Sequence, residues 1–172
     1  MSRKRLAALA AVLTAVGMII GGVLPSAAQE APPPIATEVL TGRAVFPDDV
    51  DLLVKVKQDG GQTEVVRAED PSRTITARFT VQPGAVFPWH SHAGPVIVNV
   101  VQGTLVYVGA DDCTEREYPA GTAFVDLGHG DVHTAFNSSG TEVTVLVATF
   151  FEASESGPLL IPAEAPAGCV VP

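Results

Sequence analysis

Four histidines carry the chemistry of this 172-residue chain: His90, His92, His129 and His133. A neutral imidazole binds a metal through one ring nitrogen and donates a hydrogen bond through the other. Their number is ordinary, so only their placement is informative. His90 and His92 are one residue apart. On a β-strand, residues i and i+2 share a face and lie about 6.5 Å apart along the chain, so two rings can converge on one ion. His129 sits between Gly128 and Gly130 and reads as a turn residue, while His133 opens a run of strand-forming residues. The chain has no Cys-x-x-Cys, no phosphate-cradling glycine loop, no Gly-x-Ser-x-Gly elbow and no evident carboxylate pair.

The elements that must hold these side chains are short. Runs rich in Val, Ile, Thr and Phe are predicted as strands over 50–58, 74–81, 96–101, 104–108, 123–126, 132–137 and 143–151. Turn signals separate them, such as Gln82-Pro83-Gly84, Gln102-Gly103 and Ser138-Ser139-Gly140. No segment shows a helical period of useful length. Many short strands at this spacing predict an all-β sandwich or barrel.

The histidines stand in a glycine frame. The first segment is Gly84-AVFPW-His90-Ser-His92-AGP-Val96-IVNVVQ-Gly103. The second is Gly121-TAFVDL-Gly128-His129-Gly130-DV-His133-TAF-Asn137. These resemble the two motifs of the cupin superfamily, and the resemblance covers about residues 50–151. It implies a double-stranded β-helix, or jelly-roll barrel, with His90, His92 and His133 as metal ligands. Two departures stand out. The glutamate ligand of the family falls at Val96, which cannot bind a metal. The second segment carries one extra residue after Gly121, and Gly128 stands where proline is usual.

Three imidazoles suffice for a divalent ion with an open position. Such a set suits zinc, iron(II), copper or nickel better than manganese. The thiol dioxygenases, which are cupin relatives, use three histidines without a carboxylate. Asp126 or Asp131 could replace the lost carboxylate, although aspartates near turns usually cap them. Val96, Val98 and Val100 share a parity and are expected to wall the interior. Phe87 and Trp89 have the parity opposite to His90 and are expected on another face. Tyr107 and Phe136 read as core aromatics or pocket lining, and Asn137 as a residue that ties a turn.

The chain begins with basic Arg3, Lys4 and Arg5, an uncharged run over 6–20, helix-breaking Gly21, Gly22 and Pro25, and small residues at 26–28. That is the layout of a secretory signal over 1–28, with cleavage expected after Ala28 and no stable membrane partner afterwards; the alternative is an uncleaved membrane anchor, since the run stretched to Leu24 reaches 19 residues. Residues 29–45 read as an extended linker, 46–152 as the barrel and 153–172 as an irregular tail. Two cysteines, Cys113 and Cys169, fit an exported protein with one disulfide that staples the tail. Beyond the leader, 7 basic side chains face 19 acidic ones, a balance of −12 that would repel a phosphate backbone.

Three functions follow. The first is a secreted metalloenzyme with a small-molecule substrate, an oxygenase or isomerase. The second is a barrel that binds a metal or small ligand without turnover. The third is a metal-free interaction unit, and the resemblance admits a homodimer. The lost glutamate argues against oxalate oxidase or decarboxylase chemistry.

Overall fold

The computed structural model describes residues 31–58, 61–69 and 71–172. The secretory leader expected over 1–28 lies outside the described residues. Among the described residues there is no helix that could cross a membrane.

Among the described residues, thirteen strands form three antiparallel sheets. They are β1 (Ile35–Val39), β2 (Ala44–Val45), β3 (Asp51–Lys57), β4 (Thr63–Glu69), β5 (Arg73–Val81), β6 (His90–Ser91) and β7 (Val96–Gln102). β8 (Thr104–Gly109), β9 (Glu115–Pro119), β10 (Ala123–Asp126), β11 (His133–Phe136), β12 (Thr144–Phe150) and β13 (Ile161–Pro162) follow. The larger sheet runs β1-β5-β12-β7-β10, with β2 beside β5. The second runs β13-β6-β11-β8-β9, and β3 and β4 pair with each other.

Alternation explains the core. Ala77, Phe79 and Val81 of β5, Leu146, Ala148 and Phe150 of β12, and Val96, Val98 and Val100 of β7 are all buried. They face Leu105 and Tyr107 of β8 and Ala135 of β11 in one apolar cluster. The burial of Val96, Val98 and Val100 matches their shared parity. Burying side chains of this size stabilises by about 1.5–3 kcal/mol each before ordering costs. This all-β architecture, two large sheets face to face with a separate hairpin, is the expected jelly roll.

β8 and β11 are buried on both faces. Val106, Val108 and Phe136 form a second cluster on the far side, covered by Val86, Trp89 and Val171. Val171 belongs to the tail, and the Cys113–Cys169 disulfide fastens that tail seven residues beyond Pro162, the end of its last strand.

Several elements differ from expectation. Within 29–45, β1 is paired along its length with β5, and β2 with the start of β5. The prolines ahead of Ile35 hide a strand whose partner is distant in sequence. Within 153–172, most residues are irregular, but β13 pairs with β6. Arg43 joins the two segments by donating to the carbonyls of Ser154 at 2.5 Å and Gly157 at 2.6 Å. β4 and β9 were not legible as strands, because their charged residues dilute the β-branched pattern, and their pairing supplies what propensity does not.

Candidate metal centre

The site is built where the two sheets face each other. β11 pairs with β6 in a register that sets His133 opposite His90. β13 covers the other edge of β6, with Pro162 opposite His90 and Ile161 opposite Ser91. His92 follows one residue after this short strand. The ring centroids lie 4.2 Å apart for His90 and His133, 4.9 Å for His90 and His92, and 5.1 Å for His92 and His133. One ring nitrogen from each lies within 4.8 Å of the others, and all three residues are buried. The structure therefore brings together the three histidines singled out by the sequence, in an arrangement that could hold a metal ion.

Hydrogen bonds decide which nitrogens remain. His90 Nδ1–H donates to the Pro88 carbonyl at 2.7 Å, and His92 Nδ1–H to the Leu159 carbonyl at 2.7 Å. His133 Nδ1 stands 2.8 Å from Asp126 Oδ2 and, farther off, 3.4 Å from the Asp131 carbonyl oxygen. Each acceptor is an oxygen without a proton, so each Nδ1 must carry one. The three Nε2 lone pairs are left for a shared partner, the arrangement in which outer hydrogen bonds orient metal-binding imidazoles.

Burial favours the neutral rings that ligation needs. It pushes His90 down to about 3, helped by the neighbouring His133 and His92. His92 is also lowered, chiefly by burial.

Asp126 is 1% exposed and sits directly across the β7–β10 ladder from Val96. Its Oδ1 accepts from Gly128 N at 2.9 Å, and its Oδ2 from Tyr107 Oη at 3.3 Å. Burial alone would raise this carboxyl, but the hydrogen bond from His133 and the nearby imidazoles hold it below its usual range. Tyr107 also stacks on His133, with centroids 5.0 Å apart, so Tyr107 belongs to the site as well as to the core. Asp131 lies outside the histidine cluster, and burial, with the nearby Asp126 charge, pushes it up to about 6.

The other candidates fall in distinct places. Phe87 lines the cavity and lies 6.0 Å from His90, contrary to its parity. The chain bends through Pro88 and Trp89 before β6, so strand alternation does not carry across that stretch. Trp89 and Phe136 pack in the outer cluster. His129 contacts Glu152 at the surface and takes no part in the cluster. Asn137 ties the 137–142 turn, donating to the carbonyls of Val81 and Glu142 and accepting from Ser139 N. Gly128, at φ +63°, lets its loop run against the backbone of Gly94, where any Cβ would collide.

The three histidines border a cavity of about 50 Å³. Apart from them, Asp126 and Tyr107, its lining is apolar: Phe79, Phe87, Val96, Val98, Leu105, Phe124, Ala135, Leu146, Ala148, Phe150 and Leu160. Leu160 comes from the tail. A second hollow of about 130 Å³ on the outer side shares His92, Phe150 and the tail residue Leu159 with this neighbourhood and has Arg43 in its lining.

The profile of the ChrR cupin-like domain family matches residues 43–150. Solved structures that resemble the chain include KdgF from Halomonas sp., at 20% identity and TM-score 0.46, over 74% of this chain and 86% of that one. A cupin domain from Bordetella pertussis Tohama I shares 15% identity at TM-score 0.47, over 73% of this chain and 100% of that one. The polyketide cyclase RemF from Streptomyces resistomycificus shares 19% identity at TM-score 0.43, and 54% of this chain aligns with 64% of its length. No curated protein matches the chain. With two facing antiparallel sheets, the glycine-framed histidines on one cavity and a family profile that spans most of the described residues, the chain belongs to the ChrR cupin-like domain family of the cupin superfamily.

Proposed function

We propose that this protein is an exported cupin that holds a single divalent transition-metal ion on the Nε2 atoms of His90, His92 and His133. The observation that carries this reading is the engagement of all three Nδ1 atoms by oxygen acceptors. It leaves the three Nε2 lone pairs, on rings grouped around one cavity, for a shared partner such as a divalent cation. Zinc, iron(II), copper and nickel suit the donor set. A bound ion would supply Lewis acidity, and an open position would face the apolar cavity.

The chain's own residues constrain the ligand. On this measure a water needs about 10–15 Å³, so the cavity takes only a few atoms unless the tail residue Leu160 shifts. Tyr107 is engaged with Asp126, and apart from the three histidines no other polar side chain lines the cavity. No unoccupied acid–base group is offered to a substrate there. This favours binding, or chemistry that the ion itself provides, over proton transfer by the protein. A small, mostly apolar molecule with one metal-binding atom fits best. The basic, apolar and small-residue stretches of 1–28, together with the Cys113–Cys169 disulfide, support export to an oxidising compartment.

Elemental analysis of the purified protein should find a single transition metal per chain, and alanine at all three histidines should remove it. Protein that stays metal-free when produced with zinc, iron, copper and nickel would overturn the reading. Dioxygen uptake and product formation across a panel of small substrates then separate an oxygenase or isomerase from a binding module.

A further inference from the structure

We infer that Asp126 is a positioning residue for the metal centre: the carboxylate absent from position 96 has its counterpart one strand away, where it orients His133 and supplies the negative charge that three imidazoles lack. This rests on the metal-binding reading above.

Four observations support it. Asp126 lies opposite Val96 in the β10–β7 register, so the two positions are cross-strand neighbours on the same inner face. Its side chain is buried, and among the described residues its only ion-pair partner is His133, at 2.8 Å. Its remaining contacts, Gly128 N and Tyr107 Oη, are neutral donors. His90 and His92, by contrast, donate to neutral backbone carbonyls at 2.7 Å, while the carbonyl near His133 Nδ1, that of Asp131, is farther away at 3.4 Å than the carboxylate.

A buried carboxylate costs several kcal/mol unless opposite charge compensates it. Neutral donors do so only in part. A dication held by the far nitrogen of His133 would complete the compensation, because it would polarise the ring and strengthen the Nδ1–H donation to Asp126. In return the carboxylate makes the imidazole a better donor and fixes its tautomer. From the second layer it also leaves the coordination position at Val96 open, whereas a glutamate there would fill it. The centre keeps both its compensating charge and a free face towards the cavity.

The test is calorimetric titration of metal-stripped protein with Zn²⁺ and with Co²⁺, comparing wild type and Asp126→Asn. Asparagine keeps the shape and an acceptor for His133 but loses the charge. Binding should remain at a single site and weaken 10–100-fold, as removal of such outer partners usually does. An affinity within threefold of wild type overturns the proposal while leaving the metal-binding reading intact. Wild type that binds neither metal overturns both. Should the variant fail to fold, the Zn²⁺-loaded wild type still decides by NMR. The His133 Nδ1 proton, bonded to a carboxylate, should resonate downfield of those of His90 and His92. Three equivalent positions would overturn the proposal.

Discussion

β12 and β3 are strands of equal length with apolar residues at alternate positions, yet they end in opposite circumstances. In β12, Thr144, Leu146, Ala148 and Phe150 are buried, and the intervening residues are half-covered. In β3, Leu52, Val54 and Val56 are only half-buried, and Leu53 is 64% exposed. The difference is position. β12 lies between β5 and β7 and faces a second sheet, whereas β3 pairs only with β4. Period-two alternation states which residues share a face, and the layer opposite decides whether that face is worth anything. The candidate metal centre is built against the first kind of strand, where the three imidazole residues are buried together.

The largest effect is expected at Phe150, whose ring packs 5.2 Å from His92 and 6.2 Å from Phe79. Phe150→Ala should cost about 3–5 kcal/mol of unfolding free energy in urea titration. A loss below about 1 kcal/mol would erase the contrast between the two strands. The disulfide comes next, because it ties the tail that supplies Leu159, Leu160 and Val171 to the buried region. Paired Cys113→Ser and Cys169→Ser replacements should cost up to about 4 kcal/mol by the chain-entropy model. Limited proteolysis should then cut the tail first. Unchanged stability would assign the tail to the periphery, with the hairpin.

A smaller effect is expected at the turn after β8, where Arg116 donates to both oxygens of Asp112, at 3.2 and 2.6 Å. That hydrogen-bonded pair holds the Asp112 carboxyl at about 2, below its usual 3.8. The contribution is therefore complete above about pH 4 and is lost as pH falls towards 2. Because Asp112 is partly solvated, its worth is about 1 kcal/mol or less. Comparing wild type with Asp112→Asn, the stability difference should be level near neutrality and vanish over that acid window. A difference that persists unchanged below about pH 2 would show that charge is not its source. The smallest change is expected at Leu53→Thr on the outer face of β3, within about 0.5 kcal/mol of wild type. A loss above about 2 kcal/mol would show that the hairpin face is covered after all, and the comparison would need redrawing.

The parts of this design that were legible in the sequence rest on local regularities. The His-x-His spacing, the glycine frame and the alternating valines of β7 each constrain nearby backbone, and the structure follows them. Reading failed where partners are remote or anonymous. β1 looked like linker because the strand that holds it, β5, begins more than thirty residues later. Phe87 was assigned to the wrong face because Pro88 and Trp89 break the alternation on which parity depends. Asp126 was weighed as a replacement ligand or a turn cap, and its place behind His133 follows from the juxtaposition of β10 and β11.

By itself, the amino-acid sequence determined which residue types could meet a metal, which strands would form the core and that the chain would fold as a cupin. Tertiary structure alone decided how each imidazole is held. Two of the three nearest acceptors are the backbone carbonyls of Pro88 and Leu159. Every residue carries such a carbonyl, so no pattern of side chains can mark the two that matter. The third acceptor is a carboxylate whose value depends on burial, which is a property of the packed sheets and not of Asp126 itself.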